Sequence, residues 1–267
     1  MTIFHSDHFA LPPGLPSLTG ITILGLYSQK LPYLMRIAIV SDIHSNLQAL
    51  TKAFSFIDGA EVSEIYCLGD TVGYGGSPNE CLELIRSRAK FTVLGNHDAA
   101  AVDPSKADYF TKPGKVAAEW TNKVLSKENR EFLEGLPYIQ ETGFATLAHA
   151  SPRDPENWEY VLSIPIAEKQ FKAFKTEVCF IGHSHVPALC GEDLRTFSFK
   201  KGQRFLINVG SLGQPRDGNP RLSFGLFDLD QWTYHNVRLE YDIEGAAAQI
   251  NRVGLPSILG KRLFQGV

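Results

Sequence analysis

The sequence predicts an α/β protein built on two β-sheets. Three observations carry that reading. Between residues 36 and 94, three short apolar runs alternate with two segments of helical period. After about residue 138 the chain changes to a series of short apolar runs, several close enough to pair as hairpins. Hydrophobic residues make up 43% of the 267 and charged residues 21%, enough apolar surface for one large core and too little charge density for disorder.

Each element has its own signature. Arg36–Ser41 is apolar and rich in branched residues, the mark of a buried strand. Leu47, Leu50, Phe54 and Ile57 then recur at helical spacing across 46–58, with Ser45 as the expected cap. Glu64–Leu68 is the second buried strand. Gly69, Gly73, Gly75 and Gly76 mark a loop. Pro78 opens a helix that turns Leu82 and Ile85 inward. Phe91–Leu94 is the third strand, and Gly95 ends it. A strand–helix–strand–helix–strand order implies right-handed crossovers and parallel pairing. Residues 113–134 read as two helices. Short strands are expected at 144–148, 178–181, 186–190, 204–209, 223–229 and 233–240, forming a second sheet, mixed or antiparallel. A closing helix over 241–253 stops at Gly254.

Bulk properties exclude several classes of function. A net charge of −3 is too mild to require nucleic acid or an anionic membrane as partner. No apolar run reaches 18 residues, so no membrane-crossing helix is expected. The four cysteines, Cys67, Cys81, Cys179 and Cys190, contain no CxxC pair, and three lie in apolar runs. That pattern suits reduced thiols in a cytoplasmic protein, not disulfides or a structural zinc site. Residues 1–34 carry Pro12, Pro13, Pro16 and Pro32, show no clear period, and have no Lys or Arg before Lys30, unlike a secretory signal. They are expected to be an appendage or a mis-assigned start ahead of Met35, or else a flexible arm that packs on the domain or a partner. Residues 35–267 form the domain.

Chemistry gathers at the strand ends. Asp42-Ile43-His44 follows the first strand, Gly69-Asp70 the second, and Gly95-Asn96-His97-Asp98 the third. His149 follows Thr146-Leu147-Ala148, and Gly182-His183-Ser184-His185 follows Val178–Ile181. The steps from Asp42 to Asp70 and from Asp70 to Asn96 are 28 and 26 residues. Each is close to one βαβ unit, so parallel pairing brings all three motifs to the carboxyl edge of one sheet, where ligands bind in open α/β folds. Carboxylate, amide oxygen and imidazole together suit Mn, Fe, Co, Zn or Mg better than calcium, and the lack of thiolates argues against structural zinc. Taken singly, each motif has a plainer explanation. An aspartate after a strand often caps a helix, a Gly-Asp pair is usually a turn, and a lone buried histidine is usually structural. Their joint occurrence at successive strand ends favours a metal site.

The set Asp-x-His, Gly-Asp, Gly-Asn-His-Asp, His and Gly-His-x-His resembles the calcineurin-like metallophosphoesterases, from about Met35 to the C-terminus. It is most similar to small bacterial and archaeal members with Gly-Asp-Thr-Val-Gly-Tyr-Gly, His-Ala-Ser-Pro-Arg and Asn-Val-Gly-Ser-Leu-Gly-Gln-Pro-Arg. The resemblance implies a four-layer α/β/β/α sandwich of two facing mixed sheets. It implies two divalent cations, Mn²⁺ foremost, with Fe, Zn, Co, Ni and Mg as alternatives. Asp42, His44 and His185 would bind one, Asn96, His149 and His183 the other, and Asp70 both. A hydroxide bridging the ions would attack phosphorus in line, with His97 as general acid or phosphoryl stabiliser and Asp98 orienting its ring and raising its basicity.

Around this centre, Arg153 and Arg216 are candidates to grip a phosphate, with surface salt bridging the alternative. Tyr74 would line the substrate pocket or pack. Ser211 and Gln214 are expected near the site as architecture. Trp120 and Trp158 are core residues or a wall over an aromatic group. The stretch Gly69-Asp70-Thr71-Val72-Gly73-Tyr74-Gly75 lacks the arginine of the Gly-Asp-x-x-Asp-Arg-Gly motif of phosphoprotein phosphatases. The favoured substrate is therefore a small phosphodiester or nucleotide-type phosphate ester, with a phosphomonoester or phosphoprotein as alternative. A non-catalytic scaffold is the reading from another class, and the intact ligand set speaks against it.

Overall fold

The computed structural model describes residues 35–267, so the expectations for 1–34 lie outside the described residues. In chain order the elements are β1 (Arg36–Val40), α1 (Leu47–Gly59), β2 (Val62–Cys67), α2 (Pro78–Arg88), β3 (Phe91–Thr92), α3 (Asn96–Val102), α4 (Lys112–Val124), α5 (Lys127–Glu134) and β4 (Ile139–Glu141). There follow β5 (Ala145–Ala148), α6 (Ile164–Gln170), β6 (Val178–Ile181), β7 (Ala188–Gly191), β8 (Phe205–Asn208), β9 (Leu222–Asp228), β10 (Thr233–Leu239), α7 (Ile243–Arg252) and α8 (Ser257–Leu263).

Two five-stranded mixed sheets result, ordered β10-β9-β1-β2-β3 and β4-β5-β6-β8-β7. The pairs β1–β2 and β2–β3 are parallel, as the crossover argument requires. In the second sheet β5–β6 and β6–β8 are parallel as well. Alternation along each strand decides the layers. In β1, Ile37 and Ile39 join Phe180, Phe205 and Ile207 in a core between the sheets. Ala38 and Val40 point the other way and pack with Leu50, Phe54 and Ile57 of α1. On the far side Cys179, Ile181 and Leu206 meet Ala167 and Phe171 at α6. The result is the α/β/β/α sandwich. Ile37, Ile39, Phe180 and Phe205 are wholly enclosed, each contributing about 1.5–3 kcal/mol of transfer free energy.

Several local expectations are corrected. The cap of α1 is Asn46, whose side chain accepts from the Ala49 N–H, while Ser45 sits one residue too early in a left-handed conformation. The hairpin β9–β10 joins the first sheet, because β9 pairs antiparallel with β1. The helix α7 does not close the chain, since α8 packs beside it through Leu259 and Leu263. The short elements α3, β4 and α6 escape period analysis because each offers at most two turns or three residues. Among the described residues no helix is long and apolar enough to cross a membrane. Cys67, Cys81 and Cys179 are buried free thiols, and Cys190 is free and half-buried.

Candidate metal centre

The loops that follow β1, β2, β5 and β6, together with the start of α3, converge at one end of the sandwich. Backbone hydrogen bonds extend the β1–β2 pairing beyond the strands. Asp42 N–H donates to Gly69 O at 3.1 Å, His44 N–H to Asp70 O at 2.9 Å, and Ser45 N–H to Thr71 O at 2.9 Å. This lacing holds Asp42, His44 and Asp70 in left-handed backbone conformations, with φ of 52°, 50° and 51°. His183 and His185 adopt the same region at 66° and 62°. Left-handed β-sheet exits of this kind turn the side chains inward at a local cost in backbone energy.

The donors meet in three overlapping triads, Asp42–His44–His185, His44–Asp70–His97 and Asp70–His149–His183, each with its ligand atoms within 4.8 Å of one another. Asp42 Oδ1 lies 3.3 Å from His185 Nε2 and 3.8 Å from His44 Nε2. Asp70 Oδ2 lies 3.3 Å from His149 Nε2 and 3.7 Å from His44 Nε2, between the two halves of the cluster. Asn96 Oδ1 stands 3.1 Å from His149 Nε2, and His183 Nδ1 stands 3.2 Å from the same atom.

The ring orientations show what the cluster holds. His44 Nδ1 faces Val72 O at 3.1 Å, His149 Nδ1 faces Leu68 O at 2.8 Å, and His185 Nδ1 faces Gln214 O at 2.6 Å. A carbonyl only accepts, so each of these Nδ1 atoms carries the hydrogen and Nε2 aims at the centre. His44 Nε2 and His185 Nε2 then lie 3.0 Å apart, lone pair toward lone pair. A cation between them turns that repulsion into coordination, and the donor set fits a pair of divalent ions.

Charge runs the same way. Burial works to raise the pKa of Asp42 and Asp70, but the surrounding histidines outweigh it and hold both well below the ordinary carboxylate range. Burial, and then the neighbouring histidines, pull His44 and His183 down, His183 to about 3. Anionic carboxylates and neutral imidazoles are the forms that ligate.

Above the cluster opens a cleft of about 350 Å³, with Asn96, His97 and His183 in its lining. The sequence-derived candidates divide here. Tyr74 and Arg216 line the cleft, with the guanidinium 5.5 Å over the Tyr74 ring. Trp158 forms part of its wall, whereas Trp120 packs in the cluster around α7 and α8. Ser211 donates to Asp42 O and accepts from the Gln214 N–H, an architectural position. Arg153 does not reach the cleft. Its side chain is 48% exposed and approaches its neighbour Asp154 at 3.5 Å, the surface alternative.

Asp98 also departs from expectation. Its carboxylate accepts from Val72 N–H at 3.1 Å and Gly95 N–H at 3.2 Å, capping α3, and does not touch the His97 ring. That ring is set instead by Tyr74 and Phe110, with centroids 4.3 Å away in each case. His97 Nδ1 is buried without a partner among the described residues, and burial lowers its basicity to about 4. Sequence reasoning missed Lys106, Tyr109, Phe110, Tyr160 and Arg262, all lining the cleft. No motif marks the first four. Arg262 ends α8, where the pair Lys261-Arg262 closes a short apolar run, a signal hidden by stopping the last helix at Gly254.

A second groove, of about 270 Å³, lies between α6 and β7 and is lined by Leu162, Ile164, Leu189 and Phe197. It holds none of the cluster's ligands.

Fold and cluster together define a dinuclear metal site on an α/β/β/α sandwich. Residues 35–232 match the calcineurin-like phosphoesterase superfamily domain, and the chain belongs to that family. It is 41% identical over 241 residues to an uncharacterized protein of Methanocaldococcus jannaschii, covering 86% of this chain and 98% of that protein. A solved metallophosphoesterase from Sphaerobacter thermophilus superposes with a TM-score of 0.78 at 40% identity, over 88% of this chain and all of the other. The Escherichia coli phosphodiesterase YfcE is 24% identical over 207 residues, covering 74% of this chain and 89% of its own. The metal-binding architecture is that of metal-dependent phosphoesterases.

Proposed function

We propose that the protein hydrolyses a small phosphodiester or nucleotide-type ester with two Mn²⁺ ions. The observation that carries this is Asp70, whose carboxylate lies between a His44–Asp42–His185 group and a His149–His183–Asn96 group. In this reading Asp42, His44 and His185 would hold one ion, Asn96, His149 and His183 the other, and Asp70 would be shared by both. Bound there, the ions supply an acidified water and neutralise phosphoryl charge. Everything else is done by the chain. Val72, Leu68 and Gln214 carbonyls fix three imidazoles in the ligating tautomer. Arg216 faces the phosphoryl oxygens, steadied by Gln214 Oε1, which accepts from its Nη2 at 2.8 Å. His97, at the cleft wall, faces the leaving oxygen.

The aromatic walls of Trp158, Tyr160 and Tyr109 favour a substrate with a planar organic group. Similarity to a phosphodiesterase supports the diester preference. The catalytic unit in this reading is 35–267, and the buried free thiols support a reducing compartment such as the cytoplasm.

The test is hydrolysis of bis(p-nitrophenyl) phosphate with and without added Mn²⁺, by the wild type and by Asp70→Asn. An amide is a poor bridge between two cations, so the variant should lose turnover and part of its bound metal. Full activity with both metals retained removes Asp70 from this role.

A further inference from the structure

The two arginines of the cleft differ from most other half-buried arginines, though Arg130 also lacks a carboxylate and is held by the Val102 and Asn122 carbonyls. Arg36 is paired with Asp228, Arg204 with Glu192 and Arg238 with Asp217. Neither Arg216 nor Arg262 is paired with an Asp or Glu side chain among the described residues, although both line the same cleft. Among the described residues no Asp or Glu lines that cleft, while Lys106 adds a third cation to its lining. Like charges placed side by side without a carboxylate between them are held at a cost, which an anion bound between them reverses.

Arg216 stands over Tyr74, whose ring is 4.8 Å from that of His44. Arg262 reaches the same cleft from the last turn of α8. Its Nε is anchored on the Val267 main-chain oxygen at 2.8 Å, and neither Nη has a hydrogen-bond partner among the described residues. A guanidinium held by Nε presents its two Nη groups as a fork, the geometry that grips phosphate.

We propose that Arg216 and Arg262 form a second anion subsite beside the metal site, and that the substrate is therefore a pyrophosphate-linked nucleotide. This rests on the phosphoesterase reading given above. One phosphate occupies the ligand cluster and the next lies between the two guanidiniums, with the base against the aromatic wall. The reaction balances as hydrolysis of the anhydride. The oxygen of water bonds to phosphorus at the cluster, the bond from that phosphorus to the bridging oxygen breaks, and the bridging oxygen leaves with the electron pair on the second phosphate. Arg216 and Arg262 neutralise the charge that grows there, and the proton released by water passes to solvent. A phosphate leaving group needs no protonation, in keeping with a His97 ring whose Nδ1 has no proton-relay partner.

The experiment compares binding of α,β-methylene-ADP and of AMP to the Mn²⁺-loaded full chain by calorimetry, in the wild type, Arg262→Ala and Arg262→Gln. Hydrolysis of diadenosine diphosphate and of bis(p-nitrophenyl) phosphate is measured alongside. The wild type should bind the diphosphate analogue about 10–100-fold tighter than AMP, the range expected for charge-assisted contacts to one further phosphate. Each Arg262 variant should remove most of that preference, and should lose more kcat/KM on the dinucleotide than on the single-phosphate diester. Two variants guard against one of them failing to fold, which melting curves would reveal. A flat preference in the wild type, or an undiminished preference in a folded variant, overturns the subsite. If bis(p-nitrophenyl) phosphate is hydrolysed while the preference is flat, only the subsite falls. If neither ester is hydrolysed with any divalent ion, the phosphoesterase reading falls with it.

Discussion

Substituting Gly95 by alanine tests the bridging role proposed for Asp70 without replacing any of the proposed ligands. Gly95 precedes Asn96 and caps α3, and a Cβ added there would lie 2.1 Å from Asp70 Oδ1 and 2.2 Å from Asp70 N. The backbone cannot yield readily, because Asp70 O accepts from His44 N–H and Gly69 already sits at a φ of +88°. Relief of the first contact swings the carboxylate away by roughly 1 Å, and relief of the second forces the Gly95 or Asp70 main chain to shift as well, whereas metal–ligand distances tolerate only about 0.2 Å. The same swing breaks the 2.8 Å bond from His97 N–H to Oδ1. Metal affinity should fall by about 10–100-fold or more. The metal-free fold should lose about 1–3 kcal/mol, the usual cost of overpacking. The assay is calorimetric Mn²⁺ titration, with thermal melts in Mn²⁺ and in chelator. Gly59→Ala is the control, since no atom lies within 4 Å of its added Cβ and it ends α1. It should bind metal normally and gain up to about 1 kcal/mol. A Gly95→Ala protein that folds and takes up Mn²⁺ with unchanged affinity would refute the bridging role of Asp70.

His97→Ala should keep its metals and lose about 10²–10⁴-fold in rate on esters with poor leaving groups, and less with p-nitrophenolate; an equal loss across leaving groups would indicate charge stabilisation instead of proton donation. Burial lowers the basicity of His149, but Asp70 and Asp42 outweigh it and raise it to about 9 in the metal-free protein. Coordination needs the neutral ring, so Mn²⁺ binding at pH 7 should expel a proton from this site, and the release should vanish as pH rises past about 9; titrations in buffers of different ionisation enthalpy read it directly. The sign for stability follows, because a folded value above the unfolded 6.5 stabilises the metal-free fold fully below 6.5 and loses that contribution as pH rises through about 9. A chain starting at Met35 should melt and turn over like the full chain at equal Mn²⁺; a much lower melting temperature or loss of metal would show that residues 1–34 contribute to the fold.

What was legible in the sequence follows from the range of the forces involved. The parallel order of β1, β2 and β3 came from local periodicity plus a handedness rule, and the strand-end motifs inherited their convergence from it. The partner of β9 was not legible. Its apolar alternation suits either sheet, and the choice of β1 is made by packing of Phe224 and Phe227 on opposite faces. The clustering of the Asp and His donors was legible because metal chemistry demands particular residue types. The role of Asp98 was misjudged because adjacency in sequence to His97 says nothing about direction. At the start of α3 its side chain turns back to Gly95 N–H, which leaves none of it for the ring. Arg262 was illegible for the opposite reason, since α8 is seven residues long and only its packing on α7 brings it to the cleft.

The backbone at the centre explains why so much of the site resides in so few residues. Asp42, His44, Ser45, Asp70, Tyr74, His183 and His185 all hold positive φ between 50° and 66°, a region that side-chain-bearing residues rarely enter. Each costs on the order of 1–3 kcal/mol, and glycine at any of them would remove the cost. At all of them but Ser45, glycine would also remove a cluster donor or a cleft wall. Part of the strain is offset locally, because Asp42, His44, Ser45 and Asp70 continue the β1–β2 hydrogen-bond ladder, and Leu212 N–H and Gly213 N–H cross from a distant loop to Ser41 O and Asp42 O, each at 2.9 Å. Gly213 can approach so closely only because it has no side chain; a Cβ there would lie within bonding range of Ile43 O. Small residues thus stand where backbones must touch, and functional ones where the backbone is bent. Positive φ alone does not mark the site, since Glu61, Leu194 and Trp232 share it outside the cleft, but the bends at the site are a consequence of bringing five strand ends to one point.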